Sequence, residues 1–207
     1  MSEENYKPPV RALDESKTVL VHGTSIEATV YLLETGIFEY EIKNKKDRYQ
    51  DFLFFAPNGR YFKENNLEVD ADLCTWKESV FKAEVYAKGL ADVHYIQSKA
   101  GFMPEYISEL CEGWNWEILK LLLPEFKEHG FNKDDLRKLL KETIPRKGVI
   151  LGFNEKILEK KIEKGIDEPN KEVCIYLPQG IGIEYISGIQ PIGLIEWDIL
   201  RKIKKTA

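Results

Sequence analysis

The sequence predicts an α+β domain built on a mixed or antiparallel core sheet, and three observations predict it. Strand-like apolar runs stand towards both ends of the chain. Residues 103–144, between them, are helical in character. No regular strand–helix alternation of the kind that builds a doubly wound parallel sheet runs through the 207 residues. With 43% hydrophobic and 31% charged residues, the composition fits one soluble globular domain over 1–207 with a sizeable insertion. The net charge of -5 and pI near 5.4 argue against a broad nucleic-acid-binding face.

Taken in order, residues 1–16 are a polar lead-in carrying Pro8-Pro9. Residues 18–22 form the first strand and 25–35 the first helix, with Ile26, Val30 and Leu33 on one face and Gly36 as its C-cap. Residues 37–42 read as a short strand and 43–48 as a charged turn. Residues 51–56 read as a buried strand or apolar plug ended by Pro57-Asn58-Gly59, and 60–72 as loop. Residues 77–88 read as a helix with a half-apolar face. In the helical middle, Trp114, Trp116, Ile118, Leu119, Leu122 and Leu123 form a dense apolar block that suits a core better than a ligand box. Residues 148–153 are a buried strand, and 154–164 a basic, solvated helix or loop. Residues 172–177 are a strand, 178–180 a turn, 181–197 one or two further strands, and 198–205 a short basic helix or coil.

Cys74, Cys111 and Cys174 are odd in number and far apart, and His22, His94 and His129 are scattered. No metal-ligand spacing and no disulfide framework results, so neither a metal site nor an oxidising compartment is expected. Apolar runs such as Leu121-Leu122-Leu123 are far too short to span a bilayer, so no membrane association is expected. The first five residues carry no basic or apolar leader pattern. The expectation is no signal peptide and a cytoplasmic location. No G-x-G-x-x-G or Walker pattern occurs.

One stretch organises the rest. In Val19-Leu20-Val21-His22-Gly23-Thr24-Ser25 an apolar strand ends in a histidine at a glycine turn, directly before a helix. Such a turn is a natural mount for a binding group, and equally a place for a buried structural histidine.

Three separated pieces resemble the ADP-ribosyltransferase fold, in its poly(ADP-ribose)-polymerase-like and diphtheria-toxin-like branch with a His…Tyr…Glu signature. The first is the His22-Gly23-Thr24-Ser25 turn with its helix and Leu33-Glu34-Thr35-Gly36-Ile37. The second is Leu73-Cys74-Thr75-Trp76-Lys77-Glu78-Ser79, leading to Ala83-Glu84-Val85-Tyr86-Ala87. The third is Lys171-Glu172-Val173-Cys174-Ile175-Tyr176, continuing to Tyr185-Ile186-Ser187-Gly188-Ile189. The resemblance implies a split sheet flanked by helices, with residues of about 103–144 as a helical insertion.

It also implies an enzyme that uses NAD as a substrate, cleaves the nicotinamide–ribose bond and passes ADP-ribose to an acceptor the sequence does not name, or to water. By the resemblance, Glu172 is the catalytic carboxylate, His22 bonds a ribose hydroxyl, and Gly23 grips the nicotinamide carboxamide. Tyr86 stacks on or walls the nicotinamide, with Thr24, Ser25 and Ser79 near enough to assist. The first stacking tyrosine of the family falls here on Leu73 or Cys74, with Trp76 close by and Tyr61, in Gly59-Arg60-Tyr61-Phe62, echoing its motif. The chemistry suits these residue types: glycosidic cleavage of NAD passes through an oxocarbenium-like state, which a nearby carboxylate stabilises. Two other functions sit on the same fold. One is an RNA 2′-phosphotransferase, which needs arginines for two phosphates. The other is a catalytically inactive binding module.

Overall fold

A computed structural model of the chain describes residues 7–38, 52–67, 75–102, 116–143, 146–160, 162–163, 173–177 and 179–206. Its strands are β1 (Leu20–Thr24), β2 (Ile37–Phe38), β3 (Phe52–Pro57), β4 (Val149–Phe153), β5 (Ile162–Glu163), β6 (Val173–Tyr176), β7 (Ile181–Gly182) and β8 (Ile186–Pro191). Its helices are α1 (Ile26–Thr35), α2 (Gly59–Glu64), α3 (Trp76–Ala100), α4 (Trp116–Glu128), α5 (Lys133–Thr143) and α6 (Leu194–Thr206). The fold is α+β.

Six strands form one sheet in the order β5-β6-β3-β1-β4-β8, and β2 pairs with β7 in a second, two-stranded sheet. Every pairing between named strands is antiparallel. Because β3 runs antiparallel to both β1 and β6, those two strands run parallel with β3 between them. The central strands read as continuous apolar runs because both of their faces are covered: all five residues of β4 are buried, and all of β1 except half-buried His22.

Side-chain alternation sorts the two layers. Val21 of β1, Ala56 of β3 and Ile150 of β4 pack with Ala83, Trp76 and Val80 of α3. The opposite face carries Leu20, Phe55, Leu151, Phe153 and Ile189, joined by Ile26 and Leu32 of α1 and Leu200 of α6. Close approach of α3 is written in glycine. A Cβ on Gly23 would stand 1.9 Å from the Ala83 carbonyl oxygen, and one on Gly148 would stand 2.3 Å from that of Ala87. Only residues without a side chain let the helix backbone settle on the sheet there.

The expected helix 25–35 is present one residue later. Ser25 is its N-cap, accepting from the Ala28 amide, and Gly36 ends it in the left-handed conformation at φ 77°. Other expectations need correction. Residues 60–64, part of the stretch 60–72 read as loop, belong to α2, because the Asn58 side chain caps it by accepting from the Tyr61 amide. The helix read over 77–88 runs from Trp76 to Ala100, opened by a Thr75–Glu78 capping box and closed at Gly101, φ 76°. Leu194 to Trp197, read as strand, begins α6 instead, where Ile199, Leu200 and Ile203 supply a helical apolar stripe. The stretch 154–164 holds a 3-10 turn, Glu155–Glu159, and the short strand β5. Of the strand expected over 37–42, Ile37–Phe38 is present and the rest lies outside the described residues.

The helical middle builds its own core. Tyr95 and Ile96 of α3 pack with Leu122 and Phe126 of α4 and Leu136 and Leu139 of α5. The long α3 therefore serves two bodies: its first half covers the sheet and its second half carries α4 and α5. Trp114 lies outside the described residues.

Candidate active site at the fork between β1 and β3

β1 and β3 pair only at one end. Their register holds Leu20 opposite Pro57 and Val21 opposite Ala56, whereas β1 stays paired with β4 through to Thr24. From Phe55 back to Phe52, β3 instead pairs with β6, Phe55 standing opposite Val173. The β1–β3 ladder thus ends before His22, although the two strands stay neighbours in one sheet.

His22 stands at this fork. Its ring lies 5.6 Å from that of Phe38 and 5.7 Å from that of Phe55, both edge-on or tilted, and both phenylalanines are buried. The histidine itself is half-buried. Two aromatic walls pack against the imidazole and hold it on a rigid element. Glu172 lies outside the described residues. It is the residue that directly precedes Val173, the first residue of β6, whose partner Phe55 also touches His22.

The remaining expected site residues fall into distinct positions. Thr24 closes β1 and is buried. Ser25 is fully buried, and its hydroxyl caps α1. Gly23 faces α3, so its lack of a side chain is required by the helix whatever else its backbone does. Ser79 is fully buried; its hydroxyl donates to the carbonyls of Pro57, 2.6 Å, and Thr75, 3.1 Å. It fastens the first turn of α3 to the end of β3.

Tyr86 is 49% exposed on α3, the helix that covers the Val21 and Gly23 face of β1, whereas the His22 ring is on the face of Phe38 and Phe55. The two are carried on opposite faces of the sheet. Trp76 belongs to the α3 layer as well.

Tyr61, the echo of a stacking tyrosine, is placed on α2, where its hydroxyl donates to Glu155 at 3.0 Å. Burial, then the Glu155 bond and charge, raise its pKa above the ordinary 10.0. It lines a cavity of about 370 Å³ with Ser16, Lys17, Val19, Asn154, Glu155 and Ser187, at the Val19 end of β1 and not at the fork. Leu73 and Cys74 lie outside the described residues.

Sequence reasoning missed the brace behind the fork. Arg146 donates to Glu27, in the first turn of α1, at 2.6 Å, and its guanidinium stacks 3.9 Å above the Tyr95 ring. The Tyr95 hydroxyl in turn donates to Glu142 of α5. Fully buried Glu196 accepts from the amides of Lys147 and Gly148, at 2.8 and 2.9 Å, and so anchors α6 to the lead-in of β4. An acidic residue in the first turn of a helix was the available signal. Among the described residues no group of His, Cys, Asp and Glu could hold a metal ion, and no helix is long and apolar enough to cross a membrane. No protein-family model, curated protein or solved structure matches the chain.

Proposed function

We propose that the chain is an NAD-dependent ADP-ribosyltransferase, or an NAD glycohydrolase where water is the acceptor, with its site at the fork between β1 and β3. The observation that carries this reading is the placement of His22 where the β1–β3 ladder ends, with Phe55 packed on that histidine and paired with the first residue of β6. Where the β1–β3 ladder ends, Phe38 and Phe55 hold the His22 ring at a strand end, the kind of rigid mount from which a binding group acts.

In this reading His22, held by Phe38 and Phe55, bonds a hydroxyl of the nicotinamide ribose and fixes the sugar. Glu172 stabilises the positive charge that develops on that ribose as the nicotinamide bond breaks. The nicotinamide leaves with the bonding electron pair, and the acceptor nucleophile then attacks the anomeric carbon and loses its proton. Ser25 and Ser79 are buried with their hydroxyls bonded within the chain, and Gly23 has a packing cause, so no ligand contact is assigned to their side chains. Tyr86 joins the site only from the far side of β1, so the proposal rests on His22 and Glu172.

The test is incubation with NAD and quantification of free nicotinamide. Release that Glu172→Gln lowers by at least about 100-fold, with NAD binding retained, supports the reading. Absence of release together with absence of NAD-dependent thermal stabilisation refutes it. NAD binding without release points to the inactive binding module, and removal of a 2′-phosphate from RNA points to the phosphotransferase.

A further inference from the structure

The outward face of α3 carries a stripe that is complementary to itself. Ser79, Ala83 and Ala87 turn towards the sheet and are buried. On the far side of the helix, Glu78, Phe81, Val85 and Lys88 recur at spacings of three, four and three, which places them within about 80° of arc. Phe81 is 66% exposed and Val85 44%, both among the large exposed apolar side chains of the described residues. Exposed apolar groups at the centre of a helix face, bounded by charge, are the composition of a contact surface.

The order of the residues selects the partner. Glu78 and Lys88 lie five residues either side of Ala83, and Phe81 and Val85 lie two either side. Turning a second copy of α3 antiparallel about a two-fold axis level with Ala83 sets Glu78 level with the partner copy's lysine, about 7.5 Å from the centre, and Phe81 level with its valine. Each contact then occurs twice. A parallel pairing would oppose like with like along the whole stripe. The geometry points to a second copy of this chain as the occupant: α3 forms an isologous, antiparallel homodimer contact centred on Phe81 and Val85.

The apolar pair supplies the attraction and the flanking charges set the direction. The existing bonds of these charges are compatible with it. Glu78 accepts from the Thr75 amide and Lys88 pairs with Glu84 on the same helix, and the contact across the two-fold axis adds to these bonds. The patch is small, so the dimer belongs to the weak class that buries on the order of 1,000 Å² in all. This inference concerns the opposite side of α3 from the sheet and stands independently of NAD cleavage.

Sedimentation velocity of the full chain, from about 10 μM to about 1 mM, tests it. The wild type is expected to pass from monomer to dimer as concentration rises. Phe81→Asp, at a side chain already two-thirds in solvent, should weaken association at least about 30-fold. Glu78→Lys and Lys88→Glu should each weaken it about tenfold, by opposing like charges twice, and their equimolar mixture should restore it to within about threefold of wild type. Lys88→Glu touches no helix cap, and the exposed i,i+4 pair with Glu84 that it breaks adds little to stability, so thermal unfolding of this variant separates the contact from the fold. A monomeric wild type at every concentration, a Phe81→Asp protein that dimerises like the wild type, or a mixture that associates no better than its components overturns the inference.

Discussion

Replacing Gly23 by alanine asks what holds α3 to the sheet. The added Cβ would stand 1.9 Å from the Ala83 carbonyl oxygen, 2.5 Å from the Ala87 nitrogen and 2.9 Å from the Ala83 carbonyl carbon. All three obstacles are backbone, so no rotamer change relieves them, and α3 must withdraw by about 1 Å or more. That withdrawal loosens Ala83, Val80 and Trp76 from Val21, Ala56 and Ile150. Overpacking a close-packed site costs ~1–3 kcal/mol, and a backbone obstacle puts this one near ~3 kcal/mol. For a chain of this size that is a fall in Tm of about 6–12 °C.

Gly36→Ala is the control. Its Cβ would meet open space, but its φ of 77° lies in the left-handed region, so the expected cost is only about 1 kcal/mol. Urea unfolding of the two variants, with the slope m unchanged, gives both numbers on one scale. If Gly23→Ala costs no more than Gly36→Ala, the close packing of α3 on β1 is wrong.

Three further outcomes are expected. Ser25→Ala removes the hydroxyl that caps α1 and should lower stability by about 1 kcal/mol, read by the same urea titration. Phe126→Ala empties the centre of the second core and should cost ~3–5 kcal/mol; hydrogen exchange should speed in α4, α5 and the second half of α3 while β1 and β4 stay protected. The pKa values of Tyr61 and Tyr95 are raised, first by burial and then by their bonds to Glu155 and Glu142. A raised folded-state pKa gives stabilisation that is complete below pH 10 and lost as pH climbs through the folded value. The Tyr61→Phe, Tyr95→Phe double variant should therefore lose less stability above about pH 10 than the wild type, as measured by thermal unfolding at successive pH values.

Local signals carried much of this fold. Ser25 and Gly36 marked both ends of α1 because capping depends on residues next to the helix, and 148–153, which contains β4, read as a buried strand because both faces of β4 are covered. What escaped was set by tertiary structure. α2 has no apolar period to announce it; it exists because Asn58 caps it, and Asn58 is buried while bonding the carbonyls of Glu15 and Thr18, some 40 residues away. The second half of α3 is helical because α4 and α5 cover Tyr95 and Ile96.

The site divides the same way. His22 on β1 was legible as a strand-end histidine, but its aromatic walls come from Phe38 and Phe55, which the sequence separates from it by 16 and 33 residues. Ser79 carried a hydroxyl at a suggestive place, and only the fold shows that the Pro57 carbonyl claims it.

The most direct measurement is the rate of nicotinamide release from NAD by three proteins: wild type, Glu172→Gln and His22→Ala. Release by the wild type is expected, with near-complete loss in Glu172→Gln while NAD binding is kept, and weakening of both binding and release in His22→Ala. Release that survives both substitutions, or a wild type that neither releases nicotinamide nor binds NAD, contradicts this expectation.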